Sequence, residues 1–430
     1  MSKFVIKGGK RIEGEVSISG SKNSALPIIA ACVLNGGKTN LYNVPNIRDT
    51  RGMFEILEDL GCTVKKKGKK ICIDSSNINK FEIDSNLMNK MRSSVIIVGA
   101  ILARFGEASF SYPGGCEIGA RPIDLHIKGF KNLGINIDES TGYIIGKCDR
   151  IKTSNIQLDF PSVGATENLI LASVFSEGET VIRNAAMEPE IEDLQNFLNK
   201  MGAIVSGGGT SIVKIKGVKK LKEISYTIMP DRIETGTFLA YTAMTGGNIE
   251  VYNCNSEHIS PVLAKLEESG CKIYSEKSKI SLIAPKRLKG IELKTLPYPG
   301  FPTDMQSVFL SMLTVAKGTS TVTENIFENR FKCVPELSKM GAKISVLGSS
   351  CVIKGARKLI GTTVRATDLR GGAALIGAGI KAKGETIIEN ADFVERGYDN
   401  IELKLKNLNV DIVKIKEHEN WNWRKRKLKN

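Results

Sequence analysis

Six apolar stretches recur along this chain at intervals of about 70 residues, a period that indicates an internal structural repeat. Each stretch is apolar on nearly every side of a helix, and such a helix has to be enclosed by other elements. The pattern therefore predicts six buried helices. They lie at residues 25–36, 95–106, 168–178, 236–246, 307–318 and 373–384.

Two further landmarks keep step with the buried helices. Each is followed by a short strand rich in β-branched residues, and then by an amphipathic helix that ends at a glycine or an asparagine. These end residues are Gly61, Gly134, Gly202, Gly270, Gly341 and Asn409. One repeat is therefore predicted to run strand, buried helix, strand, amphipathic helix, strand, strand.

Six such repeats can form either an open solenoid or two compact clusters of three repeats. A solenoid leaves one face of each helix in contact with solvent. Because the six predicted helices are apolar nearly all round, the pattern favours the two clusters.

The composition indicates the cellular environment of the protein and its net charge. The chain has 430 residues, of which 41% are hydrophobic and 25% charged, as is typical of soluble globular proteins with two or three domains. Nine cysteines without a Cys-x-x-Cys pair, and three histidines, show no metal-ligand spacing. With no apolar signal segment and no run of about 18 apolar residues, we expect a reduced, cytoplasmic protein without a membrane span.

The formal net charge of +15 suits an anionic small molecule or a nucleic acid, and charge alone does not choose between them. Part of this charge lies in the lysine-rich segment 65–70, which is predicted to be a solvated hairpin. Another part lies in the basic segment 417–430 at the C-terminus.

Cys116 is the first candidate for chemistry. It follows two glycines in the segment Ser-Tyr-Pro-Gly-Gly-Cys-Glu-Ile-Gly-Ala-Arg-Pro-Ile-Asp-Leu-His, residues 111–126. Glycines allow the backbone to move and to approach a ligand closely. Arg121 favours the thiolate and suits a phosphate or carboxylate. Taken alone, the segment is explained equally well as a glycine-rich turn with a half-buried cysteine.

The order and spacing of ten short motifs resemble the enolpyruvyl transferase family from about Phe4 to Lys416. Each motif alone is weak, but the ten in this order are specific. They are the segments 20–26, 91–94, 113–126, 161–168, 184–190, 230–234, 301–306, 324–331, 368–372 and 395–398.

The resemblance implies an α/β fold of the inside-out barrel type. Two lobes would each contain three βαβαββ repeats, six in all, with the active site in the cleft between the lobes. The lobes would comprise residues 22–229, and residues 1–21 together with 230–416, while 417–430 would be a basic tail outside the resemblance.

The implied reaction transfers the enolpyruvyl group of phosphoenolpyruvate to the 3-hydroxyl of UDP-N-acetylglucosamine and releases phosphate. It passes through a tetrahedral phospholactoyl intermediate, needs no cofactor and no metal, and is the first committed step of peptidoglycan precursor synthesis. Both substrates are anions, which gives the positive net charge a use. The resemblance also implies that Cys116 is the target of the epoxide fosfomycin.

The resemblance places five residues around phosphoenolpyruvate, and two more cationic motif positions are filled by Arg92 and by Arg330 in a supporting role. Lys22 also stands at the start of a predicted helix, where backbone N–H groups favour a phosphate; alone it would pass for an ordinary surface lysine. The five residues are Lys22, Asn23, Arg121, Arg370 and Arg396.

The resemblance assigns catalytic roles to Asp304, Cys116, Lys22 and Arg396. Asp304 would be the base that accepts the proton of the sugar hydroxyl. The C3 proton is a second candidate for the proton that it accepts. Asp304 is also explained as an ordinary helix N-cap, and the two interpretations are compatible because a helix N-terminus favours the ionised carboxylate. Cys116 would be the acid that also adds covalently to phosphoenolpyruvate. His126 either tunes the Cys116 loop or is a packed histidine.

The nucleotide sugar is placed by the resemblance against residues from several motifs. Phe160 departs from the lysine of some family members, which leaves one contact to the uracil open, and Met187 replaces a frequent arginine without an expected effect. The implied contacts are Arg92, Arg121, Pro122, Ile123, Asp124, Leu125, Ser162, Val163, Gly164, Asp304 and Ile326.

Two other functions are compatible with parts of the sequence. The sister enzyme that acts on shikimate 3-phosphate shares the fold, but it should lack the Gly-Gly-Cys loop. A non-catalytic, basic nucleic-acid-binding protein fits the net charge, but it need not retain the four residues Lys22, Cys116, Asp304 and Arg396. We therefore expect small-molecule substrates and no nucleic acid. The tail, with Trp421 and Trp423, is predicted to be disordered and weakly attracted to anionic surfaces, with an interfacial anchor as the alternative.

Overall fold

A computed structural model describes residues 2–114, 123–140 and 142–416. This part of the chain contains 13 α-helices. They are α1 (Lys22–Ala31), α2 (Arg48–Asp59), α3 (Ser85–Lys90), α4 (Ile97–Phe105), α5 (Asp124–Asn132), α6 (Val163–Ser173), α7 (Pro189–Met201), α8 (Arg232–Thr245), α9 (Ser260–Glu268), α10 (Gln306–Leu313), α11 (Val334–Lys339), α12 (Leu369–Lys381) and α13 (Ile401–Asn407). Short 3-10 turns lie at Arg92–Ile96, Glu257–Ile259, Thr303–Met305 and Ala391–Arg396.

The same residues form 23 strands in six sheets. They are β1 (Ser2–Lys7), β2 (Glu13–Ser17), β3 (Lys38–Tyr42), β4 (Thr63–Lys67), β5 (Lys70–Asp74), β6 (Glu107–Phe110), β7 (Asn136–Asp138), β8 (Ile144–Lys147), β9 (Asn155–Gln157), β10 (Glu179–Arg183), β11 (Ile204–Ser206), β12 (Ile212–Lys216), β13 (Ile224–Thr227), β14 (Asn248–Tyr252), β15 (Lys272–Ser275), β16 (Lys279–Ile283), β17 (Glu292–Lys294), β18 (Thr319–Thr323), β19 (Lys343–Leu347), β20 (Ser350–Lys354), β21 (Thr363–Arg365), β22 (Glu385–Glu389) and β23 (Asp411–Lys416).

The described residues divide into two compact units, each with its own hydrophobic core. The first unit comprises residues 20–114 and 123–229, and the second comprises residues 2–19 and 230–416. Gly20 and Ser21 fall in the first unit. Each unit has three sheets around three mutually packed, buried helices.

In the first unit the buried helices are α1, α4 and α6, and they pack against one another. Its sheets have the orders β13-β3-β5-β4, β6-β8-β7 and β11-β12-β10-β9. In the second unit the buried helices are α8, α10 and α12. Its sheets have the orders β15-β16-β14-β2, β17-β18-β20-β19 and β21-β22-β1-β23.

Both predicted landmarks of the repeat are present. Each apolar segment contributes one of the six buried helices, although α1, α6 and α10 end at Ala31, Ser173 and Leu313, before the predicted ends at residues 36, 178 and 318. The predicted ends of the amphipathic helices are in the left-handed conformation, with φ of 104° at Gly61 and 63° at Asn409, for example. The lysine-rich segment 65–70 spans the end of β4, the turn and the first residue of β5, and all of it except the half-buried Lys70 is exposed. These predictions are confirmed, as is the two-cluster arrangement of three repeats.

Two details differ from the predicted repeat. The second repeat lacks its first strand, and Glu82 forms only an isolated parallel bridge with Ser109, so this sheet has three strands. In addition, the strand that precedes the first buried helix of each unit in the sequence belongs to a sheet of the other unit. β2 pairs in parallel with β14 of the second unit, and β13 pairs in parallel with β3 of the first unit. None of the helices in the described residues is long and apolar enough to cross a membrane.

Candidate active site

Asp304 lies at the centre of a charged cluster in the second unit. The 3-10 turn Thr303–Met305 carries it directly before the buried helix α10. Both carboxylate oxygens accept hydrogen bonds from arginine side chains. Arg330 donates to Oδ1, and Arg370 donates to Oδ2 over 2.9 Å. The two guanidinium side chains are only 4% exposed, whereas the Asp304 side chain is 27% exposed. The cluster thus presents one accessible carboxylate whose ionised form two cations favour.

The N-cap interpretation of Asp304 is wrong. Pro302 occupies the N-cap position of the turn and Met305 that of α10, and neither helix start has a side-chain cap. The carboxylate turns instead toward the guanidinium groups, since an ion pair with two buried cations binds it more strongly than one backbone N–H. Asp304 is therefore held by tertiary contacts that no local sequence pattern shows.

Arg370 is positioned by the start of α12. Asp368 caps this helix by accepting from the backbone N–H groups of Arg370 and Gly371 at 3.0 and 2.9 Å. The guanidinium stacks on the ring of Tyr398, 5.4 Å from its centroid. Burial disfavours the Arg370 cation, but Asp304, Tyr398 and Asp231 outweigh this and raise its pKa above the usual value. Arg370 is therefore a permanent, buried cation.

Arg330 approaches Asp304 from the segment after β18. Its Nε donates to the hydroxyl of Thr303 at 3.3 Å, and its guanidinium lies 5.3 Å from the centroid of the Phe327 ring. Ile326, which the sequence assigns to the nucleotide sugar, lies in the same segment. Arg396 is a half-buried residue that ends the 3-10 turn Ala391–Arg396, close in sequence to Tyr398.

Lys22 is the first residue of α1 in the first unit, behind the capping hydroxyl of Ser21. Its ammonium forms an ion pair with Asp49 at 2.7 Å, and the side chains are 13% and 4% exposed. Asn23 follows it in the first turn, half-buried. The sequence analysis missed Asp49, because an aspartate in the first turn of a helix is ordinary.

A buried carboxylate anchors the start of α1. Asp193 of α7 accepts hydrogen bonds from the Ser24 hydroxyl, and from the Tyr226 hydroxyl at 2.6 Å. It also accepts from the backbone N–H of Met229 at 3.4 Å. Burial raises the pKa of Asp193, although these three donors oppose the shift. Ser24 directly follows the proposed phosphate-binding pair, so the position of that pair depends on α7.

His126 is a packed, neutral histidine in the first unit. Its Nδ1 accepts from the side-chain amide of Asn168 at 2.9 Å, so the ring proton resides on Nε2. Asn168 also donates to the carbonyl of Val95 and accepts from the N–H of Gly99. Burial first, and the Arg92 cation second, lower the pKa of His126 to about 3. The ring packs close to Gly164.

Several residues assigned to the nucleotide sugar therefore lie around one histidine. His126 and Gly164 are neighbours, and Arg92 is close enough to lower the histidine pKa. Ser162 caps α6 by accepting from Ala165 N at 3.3 Å, and Val163 begins that helix. The remaining described members in the first unit are the buried Ile123, the N-cap of α5, with Asp124 and Leu125 in its first turn. Phe160 is exposed.

Three predicted site residues, Cys116, Arg121 and Pro122, lie outside the described residues. So do the tail residues 417–430. The other eight cysteines are free thiols, and six of them are buried. Within the described ranges, no group of three or more His, Cys, Asp or Glu side chains could hold a metal ion.

The sequence matches a family model and several named relatives over nearly its full length. Residues 6–405 match the model of the family described as EPSP synthase (3-phosphoshikimate 1-carboxyvinyltransferase). The chain is 52% identical over 406 residues to UDP-N-acetylglucosamine 1-carboxyvinyltransferase 2 of Caldanaerobacter subterraneus, covering 94% of this chain and 97% of the relative. It is 49% identical over 407 residues to UDP-N-acetylglucosamine 1-carboxyvinyltransferase 1 of Clostridium acetobutylicum, with the same coverage.

Solved structures are similar in fold. The enolpyruvyl transferase NikO from Streptomyces tendae superposes with a TM-score of 0.85 at 21% identity, over 96% of this chain and 98% of that one. EPSP synthase from Acinetobacter baumannii superposes with a TM-score of 0.75 at 17% identity, over 97% and 100% of the two chains. At these identities the similarity extends to the fold alone.

Proposed function

Because the chain belongs to the enolpyruvyl transferase family, we propose that it transfers the enolpyruvyl group of phosphoenolpyruvate to the 3-hydroxyl of UDP-N-acetylglucosamine, releasing phosphate. Relatives that are 45–52% identical carry the name of this activity. The observation that carries the proposal is the Asp304 carboxylate, accessible yet held by two buried guanidinium groups. Such a group can accept a proton from a hydroxyl beside anionic substrates.

The chemistry requires three proton movements and one leaving group. The sugar oxygen forms a bond to C2 of phosphoenolpyruvate and loses its proton to a base, while C3 gains a proton. The resulting tetrahedral phospholactoyl intermediate then breaks its bond from C2 to the phosphate oxygen and loses a proton from C3. We assign the base to Asp304 and the acid to Cys116, which also adds covalently to phosphoenolpyruvate.

Cations neutralise the phosphate and carboxylate of phosphoenolpyruvate in this proposal. The buried Arg370 has the planar fork that binds a carboxylate through two hydrogen bonds. Lys22 offers an ammonium at the N-terminus of α1, where backbone N–H groups also favour a phosphate. The assigned residues are Lys22, Asn23, Arg121, Arg370 and Arg396, with Arg330 supporting Asp304.

For the nucleotide sugar we retain the assignment made from the sequence. The proximity of His126 to Gly164 and to the Arg92 charge supports it, and gives the neutral His126 a supporting role. The assigned contacts are Arg92, residues 121–125, residues 162–164, Asp304 and Ile326. The proposed residues are distributed over both units.

The proposed activity would make this protein a transferase of peptidoglycan precursor synthesis. We further propose a cytoplasmic location, inactivation by fosfomycin at Cys116, and no nucleic-acid partner. From the resemblance we propose lobes of residues 22–229 and of 1–21 with 230–416, followed by the basic tail 417–430, whereas the compact units divide between Ser19 and Gly20. Any attraction of that tail to anionic surfaces is expected to be weak.

Phosphate release with two alternative acceptors tests the proposal. Shikimate 3-phosphate is the competing acceptor, because the matching family model is described as EPSP synthase. We expect phosphate from phosphoenolpyruvate only when UDP-N-acetylglucosamine is added. Release with shikimate 3-phosphate instead would assign the sister activity, and release with neither would refute both.

A further inference from the structure

Glu324 is a buried carboxylate that directly follows strand β18 in the second unit. It is 3% exposed and accepts four hydrogen bonds, so its charge is solvated entirely by the protein. No Lys or Arg side chain forms an ion pair with it in the part of the chain that the structure describes. Burial of an anion is costly unless its oxygens are fully hydrogen-bonded, so this arrangement indicates a positional role.

One oxygen of Glu324 acts on the turn that carries Asp304. The Thr303 hydroxyl donates to Oε2 at 2.9 Å and accepts from Nε of Arg330 at 3.3 Å. A threonine hydroxyl has one proton to donate, so the carboxylate fixes its direction and turns a lone pair toward Arg330. Arg330 in turn donates to Asp304. Oε2 therefore sets the geometry around the proposed base.

The other oxygen acts on the segment that contains Ile326. Oε1 accepts from the backbone N–H groups of Ile326 at 2.8 Å and Phe327 at 3.1 Å. It also accepts from the hydroxyl of Thr295 at 2.9 Å, and Thr295 accepts from the N–H of Asn325. Oε1 therefore fixes the backbone at a proposed contact of the nucleotide sugar.

We propose that Glu324 is a positioning residue that sets the base Asp304 and the Ile326 contact with a single carboxylate. The inference rests on the proposed function, since it uses the roles given there to Asp304 and Ile326. Glu324 acts on the reaction only through Thr303, Arg330 and the 325–327 backbone. Oε2 positions the base and Oε1 positions the contact to the nucleotide sugar, so a mutation can separate the two effects.

Glu324→Gln separates them. A glutamine keeps one oxygen, which will face the N–H groups of Ile326 and Phe327, and its amide nitrogen then faces Thr303. We expect kcat to fall about a hundredfold, the loss that a displacement of about 1 Å can cause, with the KM for UDP-N-acetylglucosamine nearly unchanged. Glu324→Ala removes both oxygens and is expected to lower kcat similarly and to raise that KM about tenfold.

Thr303 provides a smaller change with the same prediction. Thr303→Val removes only the hydroxyl and should reproduce the kcat loss of Glu324→Gln without the KM change. Thr303→Ser restores a hydroxyl and should recover at least about tenfold of that loss. A purely structural role for Glu324 would produce neither the separation of kcat from KM nor the recovery by serine.

Glu234→Gln is the matched control. Glu234 lies in the same unit, is 2% exposed, and accepts from the N–H of Ser19 at 2.8 Å and from Lys404 at 2.7 Å. It is expected to lower the melting temperature without separating kcat from KM. If Glu324→Gln behaves like Glu234→Gln while the wild type releases phosphate, the positioning inference is wrong and the proposed function stands. If the wild type releases none with UDP-N-acetylglucosamine, both are wrong.

Discussion

Arg370 donates a hydrogen bond of 2.9 Å to Oδ2 of Asp304 across 66 residues of sequence. The arginine is buried, and the half-buried aspartate is the more accessible member of the pair. A guanidinium in this position holds the carboxylate in one orientation and favours its ionised form. A substrate carboxylate that binds Arg370 would compete for the same donors, which links substrate binding to the state of the proposed base.

The Asp304 carboxylate is expected to be indispensable for turnover. In Asp304→Asn, an amide NH2 replaces one oxygen and faces a guanidinium, so the base is lost and one arginine loses its acceptor. We expect kcat for phosphate release to fall about 10²- to 10⁴-fold. Asp392→Asn is the control, since Asp392 accepts from the Ser2 hydroxyl in the same unit. Near-normal turnover of Asp304→Asn would exclude Asp304 as the base.

The ion pair between Lys22 and Asp49 predicts coupled effects on phosphoenolpyruvate binding. Lys22→Gln removes the phosphate contact, and Asp49→Asn releases the ammonium from its fixed position. We expect both to raise the KM for phosphoenolpyruvate, with a coupling energy of about 1–3 kcal/mol in the double-mutant cycle. The exposed pair Lys90–Glu55 in the same unit should show about 0.2–1 kcal/mol in its effect on stability and none on KM. Additive effects of Lys22 and Asp49 would contradict the prediction.

Cys116 is expected to be the most reactive thiol of the chain. Burial raises the pKa of seven other cysteines, which keeps them as thiols at neutral pH and therefore poor nucleophiles. The raised pKa is about 11 for Cys254 and about 12 for Cys62, for example. Limited alkylation followed by mass mapping should therefore label Cys116 first, and Cys116→Asp should confer fosfomycin resistance. Equal labelling of Cys62 would argue against a thiolate at Cys116.

The repeat was predictable because burial on all sides of a helix requires an apolar sequence, and that signal is local. The helix starts were less accurate. The apolar stretches predicted starts near residues 236 and 373, whereas α8 and α12 begin at Arg232 and Leu369. Asp231 and Asp368 cap these helices, so the polar first turn, including Arg370, is already helical. An apolar pattern begins only after such a turn.

The site was predictable residue by residue only through resemblance. The identity of Asp304 and Arg370 is visible in short motifs, but their pairing depends on how α10 and α12 pack. Asp49 gave no signal, and Glu324 opened the motif 324–331 without an assigned role, since an acidic residue near a helix start or a strand end is common. What sequence could not supply was the partner of each charge, because those partners lie far apart along the chain.

Glu167 is expected to destabilise the protein at neutral and alkaline pH. It is buried in α6, and its Oε1 has no hydrogen-bond partner among the described residues. Burial, then the Glu190 and Glu188 charges, raise its pKa well above the usual value. The folded state therefore retains a proton that the unfolded state loses above a pH of about 4.3, so stability falls as pH rises.

Glu167→Gln keeps the shape of the side chain and removes this titration. We expect its melting temperature to exceed that of the wild type at pH 8, by about 2–4 °C for each kcal/mol gained. The difference should become small at pH 4, where the wild-type carboxyl is mostly protonated in both states. A constant difference at the two pH values would show that Glu167 does not titrate on unfolding.

His126 is expected to act in the opposite direction, at acidic pH. Its pKa in the folded protein is about 3, because it is buried and faces the Arg92 cation, whereas an unfolded histidine titrates near 6.5. Between these two pKa values, the unfolded state therefore binds a proton that the folded state does not bind. Stability from this group is present above pH 6.5 and decreases by about 1.4 kcal/mol per pH unit as the pH falls.

Two variants and one spectroscopic measurement test this titration. His126→Asn keeps an acceptor for Asn168 and should weaken the loss of melting temperature between pH 7 and 5. Arg92→Gln removes one cause of the low pKa. It should also reduce this loss of melting temperature, but by less than His126→Asn does. In the wild type, the imidazole NMR signals of His126 should not titrate between pH 7.5 and 5, because the ring remains neutral throughout this range. A midpoint near 6.5 would mean that the ring is solvated and that Asn168 does not hold it.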